Sequence, residues 1–275
     1  MDTKFQVIFG VIAIYVTLGF VLSMFLKRND IADVMWGPGV WLASVMYLWS
    51  SQATFGTNPI GYLSCALIGV WAARLFWHIG DRFLRTDTED GRYAAWRKTW
   101  SLFYLRSYLQ VFLLQGILMT IVAMPTLSMT LYVSPGNYNS PLVAIGLVIF
   151  CFGLIYEWTA DYQLDDFKRN NKDDSGMLRE GLWKYSRQPN YFGEICVWIG
   201  LFIIAISPAL NADQPLAVIV AIAFASPAII IFLLVKVSGI PMLERRRKAG
   251  EEFQDYINGT SALVPWFPHR KVAEL

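Results

Sequence analysis

Residues 181–208 read GLWKYSRQPNYFGEICVWIGLFIIAISP, and the change of character within them decides the fold. The first half carries Trp183, Lys184, Tyr185, Arg187, Asn190 and Tyr191, whereas from Ile195 onward almost every residue is apolar. An aromatic, polar segment running straight into an apolar block is the pattern of a helix entering a bilayer through its interface. Glu194 stands at the head of that span. A carboxylate there is costly unless it has a partner or a task, so Glu194 is the first candidate site residue.

The rest of the chain repeats the pattern. Of 275 residues, 55% are hydrophobic and only 16% charged, and the apolar residues fall in blocks instead of alternating with polar ones. That is the composition of a polytopic membrane protein. Blocks long enough to span occur at 7–26, 31–49, 60–79, 102–132, 142–163, 191–208 and 216–237, each near or above the roughly 20 residues a bilayer requires. The expected fold is therefore all-α and integral to the membrane, with about seven transmembrane helices in a single polytopic domain over residues 1–275. The first block has full span length and no small-residue cleavage site after it, so it reads as a span and not as a removable signal. Pro125, inside the long fourth block, is expected to kink or end its helix.

Basic residues set the orientation. The chain has 23 Lys and Arg, and all but Lys4 lie in alternate connections (27–30, 80–101, 164–189 and the tail after Lys236) or at span ends on that side. The positive-inside rule then places the N-terminus outside and the C-terminus in the cytoplasm, across the inner membrane if the source is bacterial. A net charge of +2 gives no reason to expect nucleic acid. Cys65, Cys151 and Cys196 fall in spans without CxxC spacing, and the only histidines are His78 and His269, so no disulfide framework or metal site is expected.

Polar chemistry concentrates in three segments on the basic side: DRFLRTDTEDGRYAAWRKTW (81–100), residues 157–194, and the tail. In the second, Glu157, Asp161, Asp165 and Arg169 recur every fourth residue and would share one face of a continuing helix. Asp165 and Arg169 read as a solvated helix end. Glu157 and Asp161 lie at membrane depth, where a carboxylate must be satisfied internally. Carboxylates suit ribose hydroxyls, while Lys168, Arg169, Lys172, Arg179 and Arg187 suit phosphate oxygens, so the segment points to a phosphate-bearing organic cofactor. Neither GxGxxG nor GxxxxGK[ST] occurs, so a dinucleotide would have to bind between membrane helices.

These residues carry a family likeness. GLWKYSRQPNYFGE, together with DVMWG (33–37), ARLFWHIGDR (73–82), EWTADYQLDDFK (157–168), SGIPMLE (238–244) and FQDYINGTSALVPWFP (253–268), resembles the DUF1295 group of the steroid 5-alpha-reductase superfamily. The resemblance runs from about residue 27 to 268 and is strongest over 157–200. It implies a seven-helix membrane enzyme that uses NADPH to saturate a carbon-carbon double bond conjugated to a ketone in an apolar, lipid-like substrate. It also implies cofactor-binding segments at 157–194 and 236–268. The family's Asn-aromatic-x-Gly-Glu pattern falls on Asn190, Tyr191, Gly193 and Glu194, its preceding Asp on Asp161, and its basic positions on Lys168 and Lys236, with Arg179 among the phosphate candidates. Glu157 stands where steroid reductases carry Asn.

The substrate end departs from the family. Where steroid reductases polarise the ketone with a Gln-Glu pair and a Tyr, the nearest residues here are Asp33 and Trp71. Hydride transfer to an enone builds negative charge on the carbonyl oxygen, which requires a donor there and a proton for the adjacent carbon. Asp33, if kept neutral by burial, and His78 are the catalytic candidates on that reading. Asp33 also has a plainer reading as a helix-start cap, and Trp36, Trp71 and Trp77 either line a pocket or sit at the interface. A second function class is a membrane isoprenylcysteine carboxyl methyltransferase using S-adenosylmethionine, whose Arg-His-Pro-x-Tyr stretch is approached by Arg187-Gln188-Pro189-Asn190-Tyr191, with Glu244 nearby. A third is a non-catalytic lipid-binding protein.

Overall fold

The computed structural model describes residues 3–50, 58–131, 138–170, 177–208, 210, 216–237 and 251–268. Lys172, Glu244, His269 and the SGIPMLE stretch lie outside the described residues. Among those described, regular structure is helical without strands: α1 (Thr3–Leu26), α2 (Ile31–Ser50), α3 (Pro59–Arg85), α4 (Gly91–Thr99), α5 (Phe103–Val122), α6 (Met124–Leu131), α7 (Ser140–Asn170), α8 (Pro189–Ile206), α9 (Leu216–Val237) and α10 (Glu251–Gly259). Seven of these helices, α1, α2, α3, α5, α7, α8 and α9, are long and apolar enough to cross a membrane, as the sequence leads one to expect for an integral membrane protein.

The helix break expected at Pro125 is present, while α3 and α7 run past their expected ends, α3 to Arg85. The fourth block divides: α5 stops at Val122, Ala123 forms its cap, and α6 starts at Met124. Pro125 has no N–H to continue the ladder of α5, but it is tolerated in the first turn of a new helix, where that N–H has no partner anyway. Helix α7 instead runs past the expected end to Asn170. Its 31 residues span about 46 Å at 1.5 Å per residue, against roughly 30 Å of hydrocarbon. Trp158 and Tyr162 are 62% and 66% exposed, the position an interfacial aromatic belt takes as the helix leaves the apolar zone.

The chain forms two compact units, Met1–Ser140 with Ile204–Ser226, and Pro141–Ile203 with Pro227–Leu275. In the first, α2 is the central element, touching α1, α3, α5 and α6. Small residues permit this: a Cβ at Gly37 would lie 2.9 Å from the Ala72 carbonyl oxygen of α3, so the two backbones meet directly. Several polar groups pair inside the bundle. Thr126 Oγ1 of α6 lies 2.7 Å from Ser44 Oγ of α2 and 3.0 Å from Ser64 Oγ of α3, and Tyr47 donates to the Thr120 carbonyl at 3.0 Å. Asn58 caps α3 by accepting from Gly61 N–H at 2.9 Å, while its amide donates to the Met129 carbonyl at 2.9 Å. Helix α5 contains a π-helical stretch, Ser107–Leu113, of the kind that recurs at functional positions.

The second unit is built on α7 and α8. Gly146 and Gly153 of α7 face Gly193 and Gly200 of α8 at the same seven-residue spacing. A Cβ on Gly153 would lie 2.6 Å from the Gly193 carbonyl oxygen, one on Gly193 2.6 Å from the Glu157 nitrogen, and one on Gly200 2.7 Å from the Gly146 carbonyl oxygen. The helices thus pack backbone on backbone along two turns. The Gly of the NYFGE stretch is there because nothing larger fits against Glu157.

Candidate functional site

The expected cofactor residues sort by burial. Glu157 and Asp161 are 3% and 6% exposed, one turn apart on the α7 face that meets α8. Asn190, in the first turn of α8, donates from Nδ2 to Asp161 Oδ1 at 3.0 Å, and its own Oδ1 accepts from Tyr191 N–H at 3.1 Å. The amide is thereby fixed in orientation and fixes the carboxylate in turn. Glu194, one turn further along α8, is half-buried. Glu157 and Asp161 thus share one face of α7 as their four-residue spacing implies, and Asn190 of α8 meets Asp161 there. Lys168 and Lys236 are exposed at the ends of α7 and α9, and Arg179 is exposed before the turn at Gly181–Lys184.

That turn is a single 3₁₀ segment pinned to α7. Gly181 has a φ of +58°, and its Cβ would collide with the Gln163 amide at 2.6 Å. The amide takes the space and accepts from Leu182 N–H at 3.0 Å. Trp183 is buried and donates its indole N–H to the Ala160 carbonyl at 3.0 Å.

Asp33 and His78 belong to the other unit. Helix α1 ends in a Schellman turn with Lys27 in the left-handed region (φ 54°), Arg28 N–H reaching the Ser23 carbonyl and Lys27 N–H the Met24 carbonyl, a C-terminal motif more often made by glycine. The turn delivers Arg28 to the end of α3. There it holds Asp30 in a two-pronged pair (3.1 and 2.8 Å), donates to the Phe83 carbonyl at 3.1 Å and to the Thr86 carbonyl, and lies over the Phe83 ring. Asn29 N–H donates to Glu89 at 2.7 Å, and its amide donates to Ser107 Oγ, at the start of the π-helical stretch, at 3.0 Å. Arg97 of α4 grips the same Glu89 with two bonds, 3.0 and 2.8 Å.

Within this lattice Asp33 is an acceptor twice over. Arg92 donates to its Oδ2 at 2.5 Å and Tyr93 to its Oδ1 at 2.7 Å. It does not cap α2; the Asp30 carboxylate accepts from Asp90 N–H at 3.2 Å, and Asp90 caps α4 by accepting from Arg92 N–H at 2.9 Å. His78 and Arg74 are half-buried one turn apart on α3. The three tryptophans do not share one environment: Trp71 is 0% exposed and Trp77 is 77% exposed.

Charge and burial bias the protonation of α4. Burial opposes the Arg92 cation, but Asp33, Tyr93 and Asp90 outweigh it and raise its pKa. Burial, reinforced by the charge of Asp33, pushes the Tyr93 phenol well above its ordinary value of 10.0. The raised pKa means that the unfolded state loses this proton first, so the associated stability is complete below about pH 10 and is lost as pH rises beyond it. Tyr93→Phe should therefore unfold at a temperature that falls less steeply than that of the wild type between about pH 9.5 and 11. Parallel curves in a detergent melting series would show that the phenol does not titrate with folding.

Sequence reasoning passed over Arg92, Tyr93, Glu89 and Arg97. A signal was present: after Asp90-Gly91, the residues Tyr93, Trp96 and Trp100 fall at helical spacing, an amphipathic helix with its cap. Their rings pack as that spacing requires, Tyr93 edge-on to Trp96 and Trp96 stacked on Trp100 with centroids 4.8 Å apart. Among the described residues, no group of three His, Cys, Asp or Glu side chains is arranged to hold a metal ion.

Compared with known proteins, the chain matches the DUF1295 family, described as a protein of unknown function, over residues 19–260. Neither a curated protein nor a solved structure matches it.

Proposed function

We propose that this chain, which belongs to the DUF1295 family within the steroid 5-alpha-reductase superfamily, is a membrane-embedded NADPH-dependent reductase. Its substrate would be an apolar, lipid-like or steroid-like molecule with a carbon-carbon double bond conjugated to a ketone. The observation that carries this reading is the buried Asp161 held by Asn190 beside Glu157. An oriented carboxylate with a fixed amide neighbour, at the membrane-spanning end of a basic segment, fits a ribose hydroxyl better than it fits a structural ion pair.

NADPH, when bound, supplies hydride to the enone carbon remote from the ketone, and negative charge then collects on the carbonyl oxygen. The chain's own residues divide the remaining work. Glu157, Asp161, Asn190, Tyr191 and Glu194 would orient the nucleoside, while Lys168, Arg179 and Lys236 would meet the phosphates, including the 2'-phosphate. At the substrate end the proposed catalytic residues are Asp33, whose two oxygens accept from Arg92 and Tyr93, and His78, which would supply the proton to the adjacent carbon. The cofactor side is cytoplasmic, with the N-terminus outside, on the distribution of Lys and Arg.

A ligand that binds only the folded state raises the unfolding temperature. NADPH is expected to stabilise the detergent-purified protein more than NADH does. Equal shifts would remove the 2'-phosphate assignment. A shift with S-adenosylmethionine and none with either dinucleotide would transfer the protein to the methyltransferase class, and no shift with any of the three would favour a lipid-binding role.

A further inference from the structure

Residues 181–188 lead into α8 through one 3₁₀ turn, too short to hold a shape alone. Helix α7 supports one side of it, through Trp183 and Gln163. The other side is held by the C-terminal residues. Arg187 N–H donates to the Ser261 carbonyl at 2.8 Å and Trp266 N–H to the Tyr185 carbonyl at 2.9 Å. Ser186 Oγ donates to the Leu263 carbonyl at 2.8 Å, and Phe267 meets the Tyr185 ring edge-on at 6.0 Å. At the head of this strap Tyr256, only 4% exposed, donates its hydroxyl to the Trp183 carbonyl at 2.7 Å. The Arg179 guanidinium lies over the same ring, 5.5 Å from its centroid, within range of a cation–π contact.

We infer that Tyr256 is the positioning residue of the cofactor site, doing two separable things. Its hydroxyl fixes the turn that leads into Asn190, and its ring seats Arg179, which reads the 2'-phosphate. This rests on the NADPH reading above. The hydroxyl acts on the turn as a whole, so its loss weakens NADPH and NADH alike. The ring acts through Arg179, so its loss falls on NADPH alone.

The two functions are separated by Tyr256→Phe and Tyr256→Leu in the full-length protein, comparing dissociation constants for NADPH and NADH with amide hydrogen exchange across residues 181–190. Tyr256→Phe is expected to speed exchange in that peptide and to weaken both cofactors by the same factor, roughly two- to tenfold for one net hydrogen bond. Tyr256→Leu is expected to do the same and also to bring the NADPH:NADH preference towards one. Wild-type exchange in Tyr256→Phe, or a wild-type preference in Tyr256→Leu, would overturn the corresponding half of the inference. If the wild type binds neither dinucleotide, the reductase reading fails and takes the Arg179 assignment with it, while the exchange comparison still decides whether Tyr256 holds the turn.

Discussion

Gly193→Ala is expected to lower the unfolding temperature by several degrees, and Gly193→Val to leave little folded protein to extract. In most helices the first substitution would help, since alanine gains up to about 1 kcal/mol over glycine. Here the added Cβ would lie 2.6 Å from the Glu157 nitrogen and 2.8 Å from its Cα. These are backbone atoms of a packed helix, which can yield only if α7 and α8 separate. Overpacking of this kind costs about 1–3 kcal/mol, enough to reverse the sign. Gly10 in α1 is the internal control, because a Cβ there meets nothing within 4 Å. A Gly193→Ala protein that melts at or above the wild-type temperature would mean that the two helices are not in backbone contact.

Asp161→Ala and Asn190→Ala should each weaken NADPH binding tenfold or more, and the double variant should lose little beyond the worse of the two. Hydrogen bonds to charged groups are worth about 1.5–3 kcal/mol, and a directly bonded pair shares that energy, so the single effects do not add. Glu194→Ala tests the neighbouring position independently. Strict additivity between Asp161 and Asn190 would break the pair apart as a unit. Unchanged affinity in both single variants, with wild-type melting, would remove the cofactor site from this face of α7.

What the sequence disclosed and what it concealed follow from the range of each interaction. Spans are local: 20 apolar residues announce themselves, and the start of α2 at Ile31 and the end of α9 at Val237 agree with their blocks. The alignment of Glu157 with Asp161 is also local, a matter of four-residue periodicity on one helix. The partnership of Asp33 with Arg92 spans 59 residues and that with Tyr93 spans 60, and no periodicity reports on such a separation. Residues 81–100 were recognisable as rich in charge, and the spacing of Tyr93, Trp96 and Trp100 marks a helix, but neither tells which carboxylates its arginines meet. The π-helical stretch in α5 was equally hidden, because its apolar residues satisfy an ordinary helical pattern.

The paired glycines of α7 and α8 also constrain how the second unit can move. Packed helices usually accommodate a ligand by sliding a little along one another, as side chains switch rotamers across the contact. Where backbone meets backbone there are no rotamers to switch, and here the contact is interlocked at two places seven residues apart on both helices. A seven-residue contact period keeps a pair at a shallow left-handed crossing, so any axial shift drives Gly193 off Glu157 while it drives Gly200 off Gly146. Shear is thereby suppressed. A bound molecule is therefore accommodated with α7 and α8 turning as one body, and the bending falls outside the pair.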